Sequence, residues 1–256
     1  MNRRNFLKLA GIVTGTIIIG GTGIIVINEI NKDPLLTIKE IFHKKLTQRF
    51  GYDEGNELSK NIEREYQNTS SQLPNIGTEE HNKWVVYMPP TAFALAAYRI
   101  LIPVKLNIEQ FGLIFFETIE EQMNNVSSYV MQVIGTDQGM KEKTKILAER
   151  SQQRQYRDDW VINYIEGNGQ DFTYGIDVKE CAILKYLTYQ GAPELTKYLC
   201  LTDYVTSEAI GRGLVRNKTL AEGCDCCDFR YKQGRPSYLY PLRNGWPPKF
   251  IENVNS

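Results

Sequence analysis

The sequence predicts an α+β protein: a helical N-terminal half followed by a β-β-α-α-β-β unit with an antiparallel sheet. Three observations predict it. Up to about Gln155, apolar residues recur at spacings of three and four, the repeat of one helix face. From Phe172 to Val178 the repeat becomes two: Phe172, Tyr174, Ile176 and Val178 alternate with Thr173, Gly175 and Asp177, as in a half-buried strand. Glycine and proline then punctuate the rest at Gly167, Gly169, Gly191, Pro193, Gly211, Gly213 and Gly223. Helices segregated from strands in this way define an α+β arrangement.

The elements follow in order. Leu35, Ile38, Ile41, Phe42 and Leu46 place a helix over Pro34 to Phe50. Glu57 to Tyr66 and Ser70 to Gly77 are polar. His81 to Val86 leads into Pro89 and Pro90, which cannot continue a helix but can open one, and Thr91 to Leu101 reads as a buried helix. Asn107 opens the next, with Phe111, Ile114, Phe115, Thr118 and Ile119 on one stripe that suits a core face better than a cofactor site. Trp160 to Ile165 and Phe172 to Val178 form a hairpin around Glu166-Gly-Asn-Gly169. Glu180 to Tyr189 is helical and stops at Gly191; Pro193 opens a helix running to about Ile210, with Glu194 at its positive end. Leu214 to Ala221 and Cys226 to Lys232 form a second hairpin around Glu222-Gly223.

At 256 residues the chain suits one core, expected over residues 31–256, and 42% hydrophobic with 23% charged residues is the balance of a folded domain. A formal charge of zero excludes nucleic acid as an expected partner, which demands a basic face. The first 30 residues read as an address. Asn2 to Lys8, Asn-Arg-Arg-Asn-Phe-Leu-Lys, resembles a twin-arginine export signal, and Leu9 to Ile27 follows without a charge. As a helix that stretch would reach roughly 28 Å, about a bilayer's hydrocarbon thickness. No Ala-x-Ala site follows it, so an uncleaved anchor through residues 9–27 is expected, with the twin-arginine machinery as partner and the domain on the extracytoplasmic side. The alternative is an ordinary signal-anchor whose arginines only orient it.

Reactive side chains concentrate between Glu180 and Tyr231. All five cysteines (Cys181, Cys200, Cys224, Cys226, Cys227) lie there, among Glu180, Asp203, Asp225 and Asp228. Cys200, Asp203, Tyr204 and Ser207 share one helix face at i, i+3, i+4 and i+7. In the last strand Cys224, Cys226, Asp228 and Arg230 have one parity and Cys227, Phe229 and Tyr231 the other. Cys227 and Asp228 can then enter one pocket only across a bulge at Cys226-Cys227; otherwise they serve opposite faces. Three chemistries fit. Cys224-x-x-Cys227 has metal-ligand spacing, with Cys181 or Cys200 as further ligands. A disulfide suits an exported domain, the odd count leaving a thiol over. The third is a thiolate nucleophile or carboxylate base, with Cys200 and Asp203 the best local pair. Neither His43 nor His81 is near in sequence to activate a thiol. No cofactor is required, and a divalent metal is compatible with the residues.

The succession Glu180-Cys181, Gly191-Ala-Pro-Glu194, Cys200-x-x-Asp203, Arg216-x-x-Thr219-Leu-Ala221-x-Gly223 and Cys227-Asp-Phe-Arg-Tyr231 resembles the L-2-amino-thiazoline-4-carboxylic acid hydrolase family. The resemblance is strong over the last third of the chain and loose over the helical half. It implies a small-molecule substrate, a cyclic amidine opened hydrolytically to a carbamoyl-cysteine. It further implies Asp203 or Asp228 as base, Cys200 or Cys227 as nucleophile or pocket thiol, and Arg216 or Arg230 as clamp for the substrate carboxylate, with Glu180 and Cys181 also in the substrate site. The alternative is a membrane-tethered small-molecule-binding or sensory domain of the same fold without turnover.

Overall fold

Asp33 starts the first helix by accepting the Leu35 N–H at 3.0 Å, and Pro34 fits the first turn because no intrahelical partner is needed there. That helix, α1 (Pro34–Phe50), buries Ile38, Ile41, Phe42 and Leu46 as its spacing predicts. The computed structural model describes residues 33–125 and 137–237. The export-type segment and the stretch 9–27 lie outside the described residues, among which no helix is long and apolar enough to cross a membrane.

The polar Glu57–Tyr66 stretch is the middle of α2 (Tyr52–Ser71), which buries Gly55, Leu58, Ile62 and Thr69 along one face. Gly55 sets the approach of α2 to α1: a Cβ there would lie 2.6 Å from the Thr47 Cα. A 3-10 turn (Lys83–Tyr87), capped by Asn82, leads into α3 (Met88–Leu101), buried over most of its surface. Helix α4 (Ile108–Asn124) opens with a capping box between Asn107 and Gln110. Its Phe111 and Phe115 join Phe42 and Phe93 in the main core, while Phe116 turns to a second cluster with Tyr198, Leu201, Tyr204 and Leu214. Helix α5 (Asp137–Ser151) precedes the sheet.

The sheet has four strands in the order β1-β2-β4-β3, every neighbouring pair antiparallel: β1 (Val161–Glu166), β2 (Tyr174–Glu180), β3 (Arg212–Val215) and β4 (Cys227–Gln233). The expected α+β class and first hairpin are present. Ile162, Ile176, Val178 and Cys227 on the inner face pack against the α1–α4 core.

Three local expectations change. Helix α6 (Ala182–Tyr189) starts later than Glu180, because β2 continues through Glu180 and Cys181 becomes the residue ahead of the first turn. The single helix from Pro193 to Ile210 is divided into a 3-10 turn (Pro193–Leu195), α7 (Thr196–Cys200) and α8 (Thr202–Ala209). At the junction the Thr202 hydroxyl donates to the Leu199 carbonyl at 2.7 Å, and Leu201 N–H turns to Tyr198 O at 3.3 Å, both in competition with the regular ladder. The second hairpin is not tight: β3 ends at Val215, and residues 216–226 leave the sheet before β4 begins. Arg216 turns inward, and the Asp228 carboxylate holds the N–H groups of Asn217 (2.9 Å) and Lys218 (2.6 Å), which draws the connection off the strand. Pairing of β2 with β4 runs without a register shift from Val178↔Cys227 to Tyr174↔Tyr231, so no bulge interrupts the pairing that begins at Cys227.

Candidate active site

Strand alternation puts Tyr174, Ile176 and Val178 of β2, Arg212 and Leu214 of β3, and Cys227, Phe229 and Tyr231 of β4 on the inner face. Helix α8 lies against β3 and lays Asp203 and Tyr204 over the end of this face. Arg216, just past β3, is the centre of the arrangement. Its Nη1 donates to Asp203 Oδ2 at 2.6 Å and its Nη2 to the Cys200 carbonyl at 2.9 Å. The guanidinium lies between the rings of Tyr204 and Phe229, 4.9 Å from each centroid. The Tyr204 hydroxyl closes the set by donating to the Arg216 carbonyl at 2.9 Å.

The two ends of this pair differ in access. The Arg216 side chain is 2% exposed, whereas that of Asp203 is 42% exposed. Desolvation nevertheless raises the Asp203 carboxyl above its ordinary value, against the pull of Arg216. Burial works against the Arg216 cation, but Asp203 and then Tyr204 hold its pKa above the ordinary value, so it stays charged.

Two thiols, Cys200 and Cys227, face that charge, and a third, Cys181, is felt by Asp203. Burial raises Cys200 well above its usual value, opposed by Arg216 and aided by Cys227, Asp203 and Cys181. Burial pushes Cys227 up to about 12, although the Leu220 N–H donates to its Sγ at 3.2 Å. Cys181 is raised by burial too, with the Leu184 and Ile183 N–H groups of α6 pulling the other way and Asp203 adding to the rise. All three are neutral thiols near pH 7. Tyr87 is 48% exposed as a residue, yet crowding at its hydroxyl raises the phenol, as burial raises that of Tyr231; Asp203 adds to both and Arg212 opposes both. Tyr87, Asp203, Arg212 and Tyr231 therefore lie within reach of one another's charges.

Of the residues singled out in the sequence, Cys181, Cys200, Asp203, Arg216 and Cys227 come together here. Asp228, Arg230 and Glu180 do not. Asp228 holds the 216–226 connection, as described above. Arg230, of the same parity, donates to Asp177 Oδ1 at 2.9 Å and stacks on Phe172. Glu180 sits in an ion-pair cluster with Lys185 (2.6 Å) and Arg154, and the Lys185 hydrogen bond leads in lowering its carboxyl, with burial opposing. Cys226 is buried beside Asp177 and Lys179, and none of the five cysteines forms a disulfide. Among the described residues no group of three or more His, Cys, Asp or Glu side chains is arranged to hold a metal ion. His43 bonds Asn56 at 2.7 Å and His81 faces Asp159 at 3.6 Å, each away from the thiols. Tyr87 and Arg212 were missed in the sequence. The parity of Arg212 with Leu214 and Arg216 could have signalled it; nothing local signals Tyr87, which arrives from the turn ahead of α3.

The fold and this cluster together define an α+β protein with a carboxylate–guanidinium centre at the end of its sheet. Residues 105–231 match the family model for L-2-amino-thiazoline-4-carboxylic acid hydrolase. The match runs from just ahead of α4 to Tyr231 in β4, about half of the chain, and takes in every residue of this cluster except Tyr87. At this coarse level the chain is hydrolase-like; helices α1–α3 lie outside the match. No curated protein and no solved structure matches the chain.

Proposed function

We propose that the protein is a hydrolase that opens a small cyclic amidine of the 2-amino-thiazoline-4-carboxylate type to a carbamoyl-cysteine. The observation that carries this reading is Asp203, a water-accessible carboxylate of raised basicity held in one orientation by a buried guanidinium. The family match over residues 105–231 supports the substrate class.

In this reading Asp203 takes a proton from a water as its oxygen adds to the carbon between the ring sulfur and nitrogen. The carbon–sulfur bond then breaks as the added hydroxyl becomes the carbamoyl carbonyl; its proton goes to the former ring nitrogen and the carboxyl returns the other to the departing sulfur, so one water is consumed and no redox change occurs. Arg216 positions Asp203 through the 2.6 Å bond. The thiols of Cys181, Cys200 and Cys227 act as walls of the pocket, because burial keeps them in the weakly nucleophilic neutral form.

The test is product detection by mass spectrometry with 2-amino-thiazoline-4-carboxylate. The wild-type chain is expected to form the carbamoyl-cysteine, with kcat/KM rising with pH through a pKa above the ordinary carboxylate value of 3.8. Asp203→Asn is expected to lower kcat by about 10²- to 10⁴-fold. The amide keeps an oxygen for Arg216, and a thermal melt checks that the fold is retained. Full activity in Asp203→Asn removes the base assignment. Binding by the wild type without ring opening favours the small-molecule-binding alternative.

A further inference from the structure

Four arginines gather at the β3–β4 end of the sheet, and three have both terminal nitrogens engaged. Arg216 holds Asp203 and the Cys200 carbonyl. Arg230 holds Asp177 and the carbonyls of Ile176 (3.2 Å) and Phe229 (2.9 Å). Arg235 donates to the carbonyls of Asp171 (2.7 Å), Gly213 (3.2 Å) and Arg230 (3.3 Å). Arg212 differs. Its Nη1 donates to the neutral Tyr174 hydroxyl at 2.6 Å, and its Cζ lies 5.0 Å over the Tyr231 ring. Its buried Nε has no partner, as is also true of Arg216 and Arg235. Among the described residues, however, the carboxylate pairs on this part of the sheet go to Arg216 and Arg230, and none goes to Arg212.

We propose that Arg212 is the anchor for the substrate's carboxylate, taking it on the Nε and Nη2 edge of its guanidinium, with the Tyr231 ring as the floor of the seat. A half-buried cation without a carboxylate partner among the described residues is costly, and an anion that completes the pair relieves that cost. The planar fork matches a carboxylate with two parallel bonds. Arg212, Leu214 and Arg216 share the inner face of β3 and its extension. The Phe229 and Tyr231 rings under the two guanidinium groups stack at 6.1 Å, so the groups stand side by side. A small ring anchored by its carboxylate on Arg212 therefore reaches toward Asp203, the base of the reaction. The identity of the substrate rests on the hydrolase reading above; the seat rests on the geometry of Arg212.

Binding and turnover are measured separately for the wild type, Arg212→Met and Arg212→Lys. The probes are 2-amino-thiazoline-4-carboxylate and 2-amino-thiazoline, which lacks the carboxylate. The wild type is expected to bind the carboxylate-bearing ring more tightly. Arg212→Met is expected to weaken that binding about 10- to 100-fold and not to weaken binding of the ring that lacks the carboxylate. Arg212→Lys, which keeps the charge and loses the fork, falls between, and serves as the decisive variant should the methionine chain not fold. No preference in the wild type, or an unchanged preference in a folded variant, overturns the seat. Wild-type binding that keeps this preference but gives no ring opening overturns the hydrolase reading and leaves the seat standing. Ring opening with an unaltered KM in a folded variant does the reverse.

Discussion

A guanidinium beside a thiol ordinarily favours the thiolate. At Cys200 and Cys227 that attraction is present, yet burial outweighs it, because removing a charge from water costs more here than one neighbouring cation returns. Alkylation by iodoacetamide, followed residue by residue by peptide mass spectrometry, is therefore expected to be slow at both positions at pH 7. The rate should rise about tenfold per pH unit up to pH 10. A rate already level near neutral pH would restore a cysteine nucleophile. The same shift has a stability consequence of defined sign. Since the folded pKa of Cys227 is raised to about 12, its contribution is fully present below the unfolded value of about 8.5 and is lost as pH rises through the interval. At this scale the sequence offered the right residue types, and pairing Cys200 with Asp203 followed from helical spacing alone. The neutral state of the thiols was not legible, because it depends on atoms contributed by α6, α8 and β4 together.

Helices α4 and α7 meet at Gly112, where a Cβ would lie 2.5 Å from Cδ1 and 2.9 Å from Cγ of Tyr198. Tyr198 is 2% exposed and stands two residues before Cys200, so it has little room to give. Gly112→Ala is expected to cost about 1–3 kcal/mol in urea denaturation, and to lower activity by displacing α7 and the Cys200 carbonyl that holds Arg216. An unchanged midpoint would show that Tyr198 is not fixed by this contact. Elements with a clean local repeat were readable: α1 from its three-and-four spacing, β2 from strict alternation, α4 from its Asn107 cap. The break between α7 and α8 was not, because the Thr202 hydroxyl and the burial of Leu201 decide it against a sequence that suits one longer helix. The wide β3–β4 connection escaped for a related reason. Glu222-Gly223 does turn, with Gly223 at φ 81, but the tethers from Arg216 and Asp228 determine where the strands end.

Across the molecule, one apolar cluster runs from Ile38 and Phe42 in α1 through Phe93, Phe111 and Phe115 to Ile176, Val178 and Cys227 in the sheet. Trp84, ahead of α3, meets Trp160, ahead of β1, edge to face at 5.6 Å, which ties the helices outside the family match to the sheet within it. Loss of helix followed by circular dichroism and loss of this contact followed by tryptophan fluorescence are accordingly expected to coincide in one urea transition. Two separated transitions would show that α1–α3 and the sheet are independent units. The sequence by itself determined the α+β class, the order of most elements and the parity that sets Cys227 and Asp228 on opposite faces. Those properties follow from the repeat of side chains along one stretch of backbone. Only the tertiary structure decided that Cys181, Cys200, Asp203, Arg216 and Cys227 gather at one end of the sheet near Tyr87 and Arg212, and that Asp228 and Arg230 make their contacts elsewhere. Burial and the summed field of charges depend on which elements are packed together, and no local repeat encodes that packing.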